Sequence, residues 1–306
     1  MKFFRSVHIV IGLQDVVRLS RFHPGFFKKQ LEAHRRALGE HHPDTHNSMS
    51  SLALHYHSFG RFRYAVSLYV ELLDLRRILL GHDHPDTLQT MEQLAWVYRD
   101  QHRYLDADQL YNQMLDSHRR VYGTNDLRTL RLLASSYRDQ GCLEAAEKLY
   151  HEVLDSQKRL FGTVHWDTLQ VMNDLALNHR LQGLYDDAER LYNEILDSQK
   201  LVLGNEHADT LKTMHELALT YREQGRLDDT EKLYSKILDT RRRQLGDKHT
   251  DTLRTIHTLI SIYREQGRLD DAQKLTDELP SLGSRKLLLR VVHPKPHFKT
   301  TATAAA

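Results

Sequence analysis

Six positions of this 306-residue sequence place a side chain suited to gripping a partner in a recurring context: His57, Arg99, Arg138, Arg180, Arg222 and Arg264. Each follows the tyrosine position of a repeated segment, so five arginines fall in phase. A guanidinium is a planar fork of donors that binds carboxylates bidentately and packs on aromatic rings. A row of such forks on one face would make an electropositive surface for an extended or helical peptide bearing Asp or Glu, with a tryptophan. A second reading stands beside it. The following residues include Asp100, Asp139, Gln182, Glu223 and Glu265, so the arginines could equally pair with acids of the same or next segment and tune stacking, each pair weakly. Another phase of the same segments holds Asn173, His215 and His257, with Glu92 earlier, and Trp96 offers an apolar anchor or a packing residue.

The 21 histidines invite a metal reading. Five of them, His42, His84, His165, His207 and His249, lie three residues after a repeated glycine. One per segment puts them about 10 Å or more apart along stacked helices, whereas zinc gathers its ligands within about 2 Å of one ion. Loop or capping roles are expected, and no metal or cofactor. The nucleotide, nucleophile-elbow and zinc-protease motifs are all missing, so no enzyme is expected. A formal net charge of +2 gives no global ground for nucleic acid or membrane partners. The single cysteine, Cys142, rules out an internal disulfide and reads as a small filler. Lys2 and Arg5 precede an apolar run, Val7 to Leu13, that loosely follows a secretory leader, but His8 interrupts it and no small-residue cleavage pattern follows. Without an apolar stretch of about 18 residues no membrane span is expected. The cytoplasm is the default.

These residues are placed by a repeat. A bulky residue followed by glycine recurs at Leu38-Gly39, Leu80-Gly81, Tyr122-Gly123, Phe161-Gly162, Leu203-Gly204 and Leu245-Gly246, with glycine spacings of 42, 42, 39, 42 and 42. Tyr69, Tyr111, Tyr150, Tyr192 and Tyr234 recur in the same phase. Each period reads as two helices. Leu88, Met91, Leu94, Ala95 and Tyr98 form a helical stripe, and Asp86 with Gln89, like Asp167 with Gln170, suggests a capping box. Gly60, Gly141, Gly183, Gly225 and Gly267 suit the reversal between helices. The second helix carries a small residue (Ala65, Ala107, Ala146, Ala188 and Ala272) where it must approach the first; Thr230 fits there less well. Neither helix buries its stripe alone, so neighbouring hairpins must cover one another.

The strings GHDHPDTLQTMEQLAWVYRDQHRYLDADQLY and GNEHADTLKTMHELALTYREQGRLDDTEKLY resemble the long, 42-residue tetratricopeptide repeats of kinesin light chains. The resemblance covers roughly residues 26–279. It implies an all-α, right-handed α-solenoid of antiparallel helix pairs, a superhelix whose first helices line a concave groove. The expected layout is a non-repeat segment at 1–25, a degenerate half repeat at 26–38, six units (39–80, 81–122, 123–161, 162–203, 204–245 and 246–279) and a basic tail at 280–306. The third unit lacks three residues within or just before its first helix, which predicts a local change of phase or a shortened loop. The sixth has Thr276 in the tyrosine position and Pro280 to stop its helix, as a terminal cap would.

The resemblance implies a non-catalytic adaptor that holds a partner peptide, acidic by the arginine reading, in the groove. Residues 1–25 carry no sustained heptads, so the coiled coil with which kinesin light chains hold the motor heavy chain is not expected. An alternative is the sensor portion, or a stand-alone relative, of a signalling nucleotide-binding protein ending in such repeats.

Overall fold

The computed structural model describes residues 24–279, which hold thirteen helices and no strand. The chain divides into two compact units, Met1–Asn178 and His179–Ala306, with the division inside one helix. The first unit contains α1 (Pro24–Leu38) and three hairpins: α2 (Pro43–Ser58) with α3 (Phe62–Leu80), α4 (Pro85–Asp100) with α5 (Tyr104–Tyr122), and α6 (Leu127–Asp139) with α7 (Leu143–Phe161). It ends within α8 (Trp166–Gln182). The second unit holds α9 (Tyr185–Val202), then α10 (Ala208–Glu223) with α11 (Leu227–Leu245), and α12 (Thr250–Glu265) with α13 (Leu269–Asp277). Consecutive helices pack on one another from α1 to α7 and from α9 to α13. The leader-like residues, most of the 1–25 segment, Pro280 and the 280–306 tail lie outside the described residues.

The helix starts differ from the capping boxes read from sequence. His84, not Asp86, is the N-cap of α4, its Nδ1 accepting from the Asp86 amide at 3.1 Å. His42, His207 and His249 cap α2, α10 and α12 in the same way, and His165 Nδ1 accepts from the Asp167 amide. The reason is steric. A proline at the first helical position, as in α2 and α4, has no amide to donate and a φ already helical. The residue before it becomes the cap, and the aspartate falls in the first turn, where its charge suits the helix dipole.

The three-residue deletion removes helix, not loop. α6 has 13 residues where α2, α4, α10 and α12 have 16. The loss is at its start: Leu130, Leu133 and Ala134 keep the spacing to Tyr137 that Met91, Leu94 and Ala95 keep to Tyr98. The entry is rebuilt around Gly123, which is left-handed with ψ 3° where Gly81 has ψ 170°, and Asp126 caps the helix through the Thr129 amide.

Two rows of second-helix residues pack into the core against the first-helix stripes. The five tyrosines are 2% exposed or less, and the alanines 3% or less. Thr230 replaces alanine without an orphan hydroxyl, because its Oγ1 donates to the Arg226 carbonyl at 2.9 Å. A third row was not evident in the sequence. Arg76, 5% exposed, sends Nη1 to the Asp86 carbonyl and Thr90 Oγ1, both at 2.8 Å. Arg241 does the same to Asp251 and Thr255, and His34 Nδ1 meets the Asp44 carbonyl and Ser48. One polar side chain thus ties each of these second helices to the first turn of the next hairpin.

Candidate protein-interaction face

The first helix of each hairpin turns its apolar stripe inward, which leaves residues seven apart, such as His215 and Arg222, on a common face, with Trp96 one turn before Arg99. In the first unit this face holds His57, Trp96, Arg99, Arg138 and Asn173. In the second it holds Arg180, His215, Arg222, His257 and Arg264. Trp96 is 36% exposed and Asn173 half-buried.

The cations on this face are matched to carboxylates, mostly of the following first helix. In the first unit His57 Nε2 lies 2.6 Å from Asp100 Oδ2, and Arg99 pairs with Asp139. Arg138 Nη1 donates to the Tyr150 hydroxyl at 3.1 Å and lies 3.7 Å from Asp174, which Arg131 also holds at 2.9 Å. In the second unit Arg180 is clasped by Glu223 at 2.7 Å and Glu216 at 3.2 Å. Arg222 Nε donates to Glu265 Oε2 at 3.0 Å, and its Nη2 reaches Ser261 Oγ at 3.3 Å. The hydrogen bond from Arg222 holds the Glu265 carboxyl below its ordinary range. Arg99, Arg138, Arg180 and Arg222 thus each lie against a carboxylate of the next repeat. Arg264 stands apart: it is exposed, and among the described residues it makes no ion pair.

Beneath this row lie the tyrosines of the second helices. Their rings are core, and the hydroxyls of Tyr150 and Tyr234 meet side chains of the first helices. Tyr150 meets Ser135 Oγ at 3.0 Å, and Tyr234 meets His215 Nδ1 at 2.9 Å. Burial pushes Tyr111 and Tyr150 up to about 12. It also lowers His215 and His257, so both imidazoles are neutral donors and acceptors near pH 7. Sequence pointed to the arginines and to most of the acids beside them. It missed Asp174 and Glu216 as acceptors and the hydroxyls of Tyr150 and Tyr234 as partners, since both depend on how neighbouring helices are rotated.

Antiparallel hairpins of this length, each presenting a polar row on its first helix, define a helical-repeat protein. The sequence matches the tetratricopeptide repeat family over residues 65–120, 125–201, 167–229 and 209–277, more than half of its length, and the chain belongs to that family. No curated protein matches it. Among solved structures it is similar to a Podosopora anserina chain of nearly identical TPR-like repeats of the kinesin light chain type (20% identity, 79% of this chain and 96% of that one, TM-score 0.47). It is also similar to BtubC (BKLC) from P. vanneervenii (19%, 94% and 98%, TM-score 0.47). A third is NprR in complex with its cognate peptide NprX (17%, 90% and 78%, TM-score 0.51). No helix among the described residues is long and apolar enough to cross a membrane.

Proposed function

We propose that this chain is a non-catalytic interaction scaffold that holds a segment of a partner protein along the outer face of its first helices. The observation that carries the reading is the registered row of polar side chains on those helices, set over buried tyrosines and left out of the apolar core. Within each unit, a face with one polar group per repeat suits an extended or helical polypeptide better than a compact small molecule. NprR, similar in fold, was solved with a peptide bound, in keeping with this use of the architecture. The partner meets guanidinium and carboxylate side by side along most of the row, so shape and mixed hydrogen bonding govern recognition there. A preference for acidic partners belongs where a cation is open.

The test is site-specific photocrosslinking in cells. A crosslinking residue at Trp96, Asn173 or His257 should trap a partner protein. One at Arg190, 79% exposed on the second helix α9, should not. Capture from Arg190 alone would refute the assignment of the face.

A further inference from the structure

The row of paired cations has an open end. Arg180 is held by Glu216 and Glu223 of α10, and Arg222 by Glu265 of α12, so each guanidinium takes its acceptors from the next first helix. Arg264 is in the same register on α12 and is the last of the row among the described residues. Among the described residues no carboxylate pairs with it. Residues 280–306 contain no aspartate or glutamate. The packing around it is open as well. Leu279 is only half-buried where its counterpart one repeat earlier, Ile237, is 1% exposed. Thr276 is likewise half-buried where Tyr234 is 2% exposed. His257 and Ser261 share the face of α12 with Arg264, being seven and three residues before it.

We infer that a helix of a partner polypeptide docks on the α12–α13 hairpin in the place a further first helix would take and clasps Arg264 with carboxylates. The clasp of Arg180 supplies the template. Its two glutamates are seven residues apart on α10, two helical turns on one face. The fitting partner is therefore an amphipathic helix with acids at i and i+7 beside an apolar stripe. The guanidinium fork binds the two carboxylates, and the stripe covers Leu279 and Thr276. A second copy docking head to tail is not favoured, because the ladder position that would meet Arg264 is Ser58 in the first hairpin. The inference rests on the scaffold reading but concerns only this end.

The experiment uses the full chain and, as probe, a labelled, end-blocked peptide with the sequence of α10, Ala208–Glu223, which carries both glutamates in the required register. Fluorescence anisotropy should give saturable binding that weakens at least tenfold for Arg264→Glu and for a peptide with Glu216→Gln and Glu223→Gln. Affinity should return when Arg264→Glu is matched with a peptide carrying Glu216→Lys and Glu223→Lys. Arg264 is exposed, so thermal melts of the variant should match the parent, and Arg264→Gln provides a milder second test. Absence of binding, or binding indifferent to residue 264, would overturn the inference. So would dependence on Arg180 instead, since the peptide would then be displacing α10 from its own slot. Crosslinking from Trp96 and Asn173 is independent of Arg264, so failure here leaves the scaffold reading separately testable.

Discussion

Arg180 and Glu223 are 43 residues apart in sequence and 2.7 Å apart in space. The guanidinium is largely covered, with 12% of its side-chain surface exposed, and its second nitrogen holds Glu216. This is a clasp between consecutive first helices. The same step links His57 to Asp100 in the first unit and Arg222 to Glu265 in the second.

If the clasp is structural, Arg180→Glu sets three carboxylates together and should cost about 2–4 kcal/mol, in the range for breaking a poorly solvated pair. The double variant Arg180→Glu with Glu223→Arg should recover much of that loss. Urea midpoints of the parent, both singles and the double form the cycle. A coupling energy near zero would mean the two residues act independently.

His102 occupies the reversal of the second hairpin, where the other five hairpins have glycine, with φ 59°. A side chain in the left-handed region is strained by roughly 1–2 kcal/mol. Its ring partly offsets this by a 2.8 Å contact with the Tyr104 hydroxyl. His102→Gly should therefore raise stability by about 1 kcal/mol, less the entropy glycine adds to the unfolded chain. A drop in melting temperature would indicate that the Tyr104 contact outweighs the strain.

The Arg76 tie predicts a graded series. Arg76→Ala strips donors from the Asp86 carbonyl and Thr90 and opens a gap, so a loss of about 2–3 kcal/mol is expected. Arg76→Gln should cost much less, because Gln157 and Gln199 fill this position in the fourth and fifth second helices counted from α1. Equal losses for alanine and glutamine in chemical denaturation would argue that only side-chain volume matters there.

His46 is 4% exposed on α2, in a phase where Leu169, Leu211 and Leu253 are buried apolar residues. Burial, and then the nearby Arg76 charge, lower its affinity for a proton. A depressed folded value means that the unfolded chain binds the proton first, near pH ~6.5. Stability is thus complete above that pH and falls as acidification proceeds through and below it. His215 and His257 are lowered by burial and add to the same trend. Melting temperatures should decline from about pH 7 to 5, and His46→Leu should raise the whole curve and flatten its acid limb. An unchanged limb would assign the acid sensitivity to other groups.

Sequence alone determined the hairpins, their period and the tyrosine and alanine rows. These follow from local periodicity: one residue pattern buries one stripe, whatever lies beyond it. Sequence also located the missing three residues near the start of α6, but could not decide between lost helix and lost loop. The tertiary structure decided that, because Gly123 and Asp126 rebuild the entry while the stripe keeps its phase. It also decided the electrostatics of the face. An arginine beside a glutamate in sequence points the same whether its charge is open or matched. Only the rotation of α10 against the preceding helix end puts Glu216 and Glu223 within reach of Arg180, while Arg264 meets no such helix among the described residues.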